Sequence, residues 1–397
     1  MNTTLPALPL ALPDLSDLEA AYVNAVMQSG RLALGPWLEG FEERMAILGG
    51  TEHAVAVNSG TAALHLIVRG LGLGAGDEVI TTPYSFVASS NCLLFEGVKP
   101  VFVDIDPDTF LLDPNRIEKA LTPATKGILG VDVFGLPADW PALTDIASRH
   151  NLVLIDDACE APGASAGNRS IGSWGNAGAF GFYPNKPITS GEGGCITTND
   201  AALAEACRSM RNQGRGRPDR MEHVRLGYNY RLPELSAAVG AAQIERWPAL
   251  QSARAQVAGW YGKHLAHLQP DLTLPGTVSY GKRSWFVYVI RLGFHFTPGA
   301  RDDLQVKLAK SGIASAPYFP SIHLQPYYRE RFGFQPGAFP ICESVSARTL
   351  ALPFYTALTE ADVARVAKAL EAALPELERT SSEATVPSPS LSDTSCM

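Results

Sequence analysis

Lys186 lies in the stretch GAFGFYPNKPITSGEGG, between an aromatic segment and a glycine-rich loop. A compact primary amine at such a place can form a C=N bond with an aldehyde. It can then yield to an incoming amine and carry a proton between two carbons. Arginine cannot do this. The glycines let the chain turn tightly around a bulky ligand. A lone loop lysine is ordinarily a solvated charge, so its meaning depends on its company. Asp156 and Asp157 end the apolar run 152–155, and open parallel sheets bind ligands beyond the C-terminal ends of their strands. A carboxylate there keeps a pyridine nitrogen protonated, so that the ring accepts electrons as a Cα–H bond breaks. Neighbouring strand residues point to opposite faces. One aspartate therefore meets a ligand and the other caps or pairs elsewhere; spacing does not choose between them.

A third feature is Asn58-Ser59-Gly60-Thr61-Ala62-Ala63, which follows a short apolar run. As the start of a helix it offers the free amides of Gly60, Thr61 and Ala62 to an anion, and the helix dipole helps. Ser59 or Thr61 can add a hydroxyl. The same residues also read as an ordinary cap. Amine, carboxylate and amide nest together are three grips on pyridoxal phosphate. Phe86, just after the strand 78–81, can stack on the pyridine ring or serve as core at a strand–helix junction.

These groups need a scaffold, and the pattern supplies one. Asp14 can cap a helix to about residue 28, with Leu15, Leu18, Tyr22 and Val26 at helical spacing and a Ser29-Gly30 stop. A second helix covers 35–48. Then strands and helices alternate: strand 54–57, helix 62–71, strand 78–81, helix 85–96, strands 100–103 and 127–134, helix 140–149 and strand 152–155. The strands are apolar throughout rather than alternating, which predicts an α/β fold with a mainly parallel central sheet. After about 260 the character changes. A long aromatic strand at 284–292, a helix at 301–311 and a last helix at 359–374 predict a smaller α+β domain. The expected organisation is an N-terminal arm and helix over 1–30, a large cofactor domain over 31–260 and a small domain over 261–375. The Ser-, Thr- and Pro-rich tail at 376–397 is expected to be disordered.

Composition narrows the class. A chain of 397 residues with 46 % apolar and 9 % aromatic residues buries a large core. A net charge of -8 argues against non-specific attraction to nucleic acid or anionic membrane. There is no basic, signal-like N-terminus and no run of about 18 uncharged apolar residues. The cysteines at 92, 159, 195, 207, 342 and 396 form no close pair for zinc. No metal is expected, and reduced thiols point to the cytoplasm.

Several motifs in one order resemble the DegT/DnrJ/EryC1/StrS family of sugar aminotransferases, pyridoxal phosphate enzymes of fold type I. They are SGTAAL at 59–64, GDEVI at 76–80, SFVAS at 85–89, FVDID at 102–106, IDDACEAPGA at 155–164, NKPITSGEGG at 185–194, LGYNYRLPELSAAVGAAQIE at 226–245 and TLALPFY at 349–355. The resemblance implies that Lys186 is the Schiff-base lysine and proton shuttle, that Asp157 holds the pyridine nitrogen and that Phe86 stacks on the ring. It implies that Gly60 and Thr61 bind the phosphate, and that Glu160 lies near the ring and substrate. Asn229 is implied to reach the phosphate of the neighbouring subunit, which makes the enzyme a homodimer with shared active sites. Three positions depart from the common pattern. Gly181 stands where Ser is usual, Glu160 where Gln or His is usual, and Asp132 where His is common.

The implied reaction moves an amino group from glutamate or glutamine to a keto-sugar, leaving pyridoxamine phosphate between its halves. The acceptor is expected to be linked to dTDP, UDP or GDP, with its keto group on the third or fourth sugar carbon. A cyclitol ketone of the inosose type is the alternative, and a non-catalytic protein on this fold a further one. The retained lysine separates the chain from the family's sugar dehydratases, which carry His there. Trp285, Tyr288, Tyr318 and His323 are substrate candidates. So is the basic stretch Arg211, Arg215, Arg217, Arg220 and His223, which suits a diphosphate and equally a solvated loop.

Overall fold

The computed structural model describes residues 6–216 and 221–380. Its centre is a seven-stranded sheet made of β1 (His53–Val57), β2 (Glu78–Thr81), β3 (Lys99–Phe102), β4 (Thr125–Val131), β5 (Val153–Asp157), β6 (Ala177–Gly181) and β7 (Gly194–Thr198). Their spatial order is β1-β7-β6-β5-β4-β2-β3. β7 runs antiparallel to both its neighbours, and every other pairing is parallel. The expected parallel sheet is therefore present, with one reversed strand. That reversal returns the chain from the lysine loop next to the strand it left. β4 is shorter than expected: it ends at Val131, and 133–135 is a tight turn in which Phe134 takes a φ of 57°.

Helices α1 (Asp17–Ser29), α2 (Pro36–Gly49), α3 (Gly60–Gly70), α4 (Ala88–Phe95), α5 (Trp140–His150), α6 (Ala201–Arg211), α7 (Glu234–Glu245) and α8 (Trp247–Leu265) surround this sheet. Two apolar clusters pack on its two faces. One holds Val55, Val57, Leu64, Ile67, Val79, Leu129 and Ile155, and the other Ala54, Ala56, Ile80, Ile128, Trp140 and Leu154. Successive residues of one strand thus enter different clusters, as the pleat requires. Burying both faces is why these strands read as unbroken apolar runs.

The first helix starts later than expected. Its cap is Ser16, with Glu19 reaching back to close a capping box. Asp14 instead pairs with Arg246 at the start of α8 and accepts from Thr356. Residues 257–377 and Leu8 form a third cluster around the small sheet β8 (Leu272–Thr273), β9 (Tyr288–Leu292) and β10 (Thr349–Leu352). Strand β9 covers only the second half of the predicted 284–292. Helix α9 (Ala300–Lys310) lies near the predicted place, two short helices α10 (Pro326–Phe332) and α11 (Pro340–Ser346) follow, and α12 (Glu360–Ala373) closes the fold. Two expected boundaries shift. Helix α8 crosses residue 260 without a break, so the junction lies inside a continuous helix. The chain after 376 is packed rather than disordered through 380: Leu377 is buried, and Phe296 pairs with Arg379. The rest of the predicted tail lies outside the described residues.

Helix α2 has no side-chain cap of its own. Glu234, fully buried at the start of α7, supplies one from a distance. Its carboxylate accepts from the amides of Gly35, Trp37 and Leu38 at 2.9, 3.0 and 3.1 Å. This ties α2 to α7 and matches anionic charge to a helix N-terminus. Glu234→Ala would leave three buried donors without an acceptor. We expect a loss of about 3 kcal/mol in urea unfolding, and a loss under about 0.5 kcal/mol would refute the linkage.

Candidate active site

The C-terminal ends of β5 and β6 and the N-terminus of α3 surround a cavity of about 570 Å³. Gly60, Thr61, Phe86, Asp157, Glu160, Lys186 and Tyr318 line it together. Residues scattered over some 260 positions of sequence thus meet at one place. Ser59 caps α3, its hydroxyl accepting from Ala62 N at 3.1 Å. The amides of Gly60 and Thr61 are left for an anion, so the nest is two amides rather than three. The close approach around it is enforced. A Cβ at position 60 would meet Cys159 Sγ at 3.0 Å and Gly181 Cα at 3.1 Å, and one at 194 would meet the Ser59 carbonyl at 2.2 Å. At position 181 an added Cβ would find only ordinary contacts, the nearest at 3.4 Å. The missing serine there is thus not excluded by space.

The sheet decides between the two aspartates. Asp157 lines the cavity. Asp156, on the opposite face, accepts from Gly172 N at 2.7 Å. The Asp157 carboxylate accepts from Ser89 Oγ at 2.7 Å and from Cys159 N at 3.3 Å. Ser89 is itself hydrogen-bonded to Ser85 at 2.8 Å. These hydroxyls belong to the SFVAS motif, whose spacing of four puts both at the start of α4. That spacing was the sequence signal for a support that reading for cofactor grips alone did not register.

Lys186 stands in the turn between β6 and β7. Its amide donates to the Tyr183 carbonyl, and Phe182 N and Ser190 N close the loop on Gly193 O and Phe182 O. Phe182 is buried against Phe41 with ring centroids 5.3 Å apart. The loop is therefore anchored at its root. The Lys186 ammonium lies 4.1 Å from the centroid of the Phe286 ring and 3.3 Å from Glu160 Oε1. Glu160 also accepts from Phe134 N at 2.8 Å. Burial pushes the Glu160 carboxyl above its ordinary value, although the lysine and the amide pull it back. Phe86 is 61 % exposed at the cavity edge, which excludes the core role.

The outer candidates separate. Tyr318 lines the cavity, stacked on Phe319 with centroids 4.9 Å apart. His323 does not line it. It is fully buried between Phe334 and Phe339, and its Nε2 pairs with Glu343 at 3.0 Å. Burial lowers its pKa. Trp285 also lies elsewhere, stacked with Tyr288 and under Arg283, at the edge of the small-domain core. Arg211 is buried, bonded to Glu42 and to the Ala56 carbonyl, so it is structural. His223 is exposed and bonded to the Gln213 carbonyl. Arg217 and Arg220 lie outside the described residues. Asn229 is exposed and lies away from its own chain's cavity.

Comparison with known proteins agrees with this geometry. Residues 13–371 match the model of the DegT/DnrJ/EryC1/StrS aminotransferase family. The chain belongs to that family. Its members that resemble it are sugar aminotransferases, and the chain is a pyridoxal phosphate-dependent aminotransferase. It is 39 % identical to GDP-perosamine synthase of Caulobacter vibrioides over 371 residues, covering 93 % of this chain and 99 % of that one. Spore coat polysaccharide biosynthesis protein SpsC of Bacillus subtilis is 35 % identical, covering 91 % and 96 %. DesV of S. venezuelae, solved in complex with a ketimine intermediate, superposes with a TM-score of 0.87 at 36 % identity, covering 93 % and 99 %. DesI, solved in the presence of its TDP-sugar product, gives 0.85 at 31 %, covering 93 % of each chain.

Two variants test the anion nest and a third the support of Asp157. Gly60→Ala should weaken cofactor retention about tenfold, while Gly181→Ser should fold normally and retain cofactor at least as well; equilibrium dialysis reads both, and the reverse order would reject the nest. Ser89→Ala removes a charge-assisted hydrogen bond worth about 1.5–3 kcal/mol. The expected result is a kcat lowered about tenfold or more with donor KM unchanged, and recovery in Ser89→Thr; unchanged kcat would release Ser89 from this role.

Proposed function

We propose that this chain transfers an amino group from glutamate or glutamine to a keto-sugar carried on a nucleoside diphosphate. The observation that carries the reading is that Lys186 and Asp157 face one cavity whose closed end is the α3 amide nest. The cavity fits pyridoxal phosphate: a crowded glycine cradle suits its phosphate, a buried carboxylate its ring nitrogen, and an amine its aldehyde. When bound, that group supplies the carbonyl that carries the amino group and the ring that takes up the electrons of the broken C–H bond.

The chain's own residues do the rest. Gly60 and Thr61 hold the phosphate. Asp157, kept in place by Ser89, holds a proton on the ring nitrogen. Phe86 covers one side of the ring. The Lys186 amine would take a proton from the donor's Cα and deliver it to the former aldehyde carbon on the other side of the transferred nitrogen. In the second half it runs the transfer in reverse toward the sugar. Glu160 beside it balances the ammonium charge. Phe286 and Tyr318 wall the site and limit access of water to it.

In this reading Asn229 serves the site of a second copy. It is exposed and does not line its own chain's cavity, and Met221, Val224 and Leu226 nearby expose large apolar surface, which monomeric enzymes seldom do. The nucleotide-linked acceptor is supported by the two relatives whose names specify GDP-perosamine and a TDP-sugar. The proposed site of action is the cytoplasm. All five described cysteines are unpaired, four of them buried, and no described helix is long and apolar enough to cross a membrane.

Lys186→Ala should abolish both the visible absorbance of the lysine–cofactor Schiff base and amino transfer, and turnover in that variant would overturn the assignment. The pyridoxamine form, challenged with nucleotide-linked keto-sugars and with a cyclitol ketone, should be discharged only by the former. Discharge by the cyclitol ketone alone would reject the proposed acceptor.

A further inference from the structure

Asp132 and Asp156 lie on the face of the sheet opposite the cofactor cavity, and both are fully buried. β4 and β5 run parallel with Gly130 beside Asp156 and Val131 beside Asp157. Asp132 Oδ1 accepts from Ala138 N and from Trp140 Nε1, each at 2.8 Å. Asp156 Oδ2 accepts from Gly172 N at 2.7 Å. The remaining oxygens, Asp132 Oδ2 and Asp156 Oδ1, receive no donor, and the two carboxyls, on one face of neighbouring stretches of chain, are placed to share a hydrogen bond. Two carboxylates have no donor to share, so this contact requires a proton. Among the described residues no cation pairs with either carboxyl. Its charged neighbour is Asp157, across the strand, which adds repulsion. The Tyr280 phenol, also near Asp139, faces Asp132 as well.

We propose that Asp132 and Asp156 act as one acid holding a single proton, and that this proton fixes the backbone presenting Asp157 and Glu160. The connections are short. Asp132 N donates to the Asp157 carbonyl at 3.2 Å. Phe134 N, in the turn that Asp132 begins, donates to Glu160 at 2.8 Å. Without the proton, two like charges face each other in a dry site, and the turn and the strand end are driven apart. Asp132 and Asp156 touch neither substrate nor cofactor; they are positioning residues. Their role in holding the catalytic groups rests on the cofactor reading above, whereas the shared proton does not.

Burial drives both carboxyls up, Asp132 to about 7. A folded-state pKa above the unfolded value means that the contribution to stability is complete at low pH and is lost as pH rises through the folded value. An amide can replace the proton permanently. Asn at 132 keeps its oxygen for Ala138 and Trp140 and offers its NH2 to Asp156. Asn at 156 keeps its oxygen for Gly172 and offers its NH2 to Asp132. Both together set two donors against each other with no acceptor.

The test is a pH series of melting curves on cofactor-free protein, with cofactor retention followed in parallel. In the wild type the folded-to-unfolded ratio should fall by up to about tenfold per pH unit as pH rises from the ordinary carboxyl range, about 4, toward the raised folded value, relative to either single variant, and level off above it. Asp132→Asn and Asp156→Asn should each melt as the wild type does at neutral pH and keep their cofactor. The double variant should be destabilised far beyond the sum of the singles. Infrared difference spectra at neutral pH should show a neutral carboxyl band in the wild type that is lost in Asp132→Asn. Additive singles, the same pH slope in wild type and single variants, collapse of both single variants at neutral pH, or absence of that band would each overturn the shared proton. The expected melting behaviour with cofactor retention unchanged in every variant would keep the proton and overturn its role at Asp157.

Discussion

A carboxylate must be held in one orientation where there is almost no water, and the arrangement of this enzyme follows from that requirement. Asp157 is nearly buried at the end of β5. It is held there by the Ser89 hydroxyl and the Cys159 amide. Two donors on one buried carboxylate fix the direction in which it faces the cavity. A cofactor ring with a protonated nitrogen is the natural partner for a carboxylate so placed. Around the same cavity stand the start of α3 with its two free amides, the Lys186 amine and, exposed at the edge, Phe86.

The charges near Asp157 are arranged so that they do not multiply. Asp156 and Asp132 lie behind the strand, and Glu160 lies three residues on. Four carboxyls in a volume this small could not all ionise independently. Lys186 compensates Glu160 across 3.3 Å, and the contact between Asp132 and Asp156 demands a proton. The departures from the family's usual residues at 132 and 160 are linked in space. Both belong to the hydrogen-bonded frame around the 132–135 turn. What looks in sequence like two independent substitutions is one local rearrangement of charge and proton.

The small domain contributes less chemistry than its aromatic content promised. Trp285 and Tyr288 stack with each other and with the core around Phe354. His323 is a buried neighbour of phenylalanines. Only Phe286 and the stretch around Tyr318 reach the cavity. An aromatic side chain on a strand is suited to packing and to binding alike, and sequence carries no mark of which it does.

The sequence by itself determined the alternation of strands and helices and which amine, carboxylate and helix start would meet at one cavity. Those features are local: an apolar run sets a buried strand, and a Ser-Gly-Thr start sets a helix N-terminus wherever it is placed. It did not determine that Ser16 rather than Asp14 caps the first helix, that β7 runs backwards, that Glu234 caps a helix some two hundred residues away, or that Asp132 faces Asp156. Each of these depends on which residues become neighbours when strands distant in the chain are laid side by side. Only the packed fold decides which donors lose their water and which carboxyl is left to satisfy them.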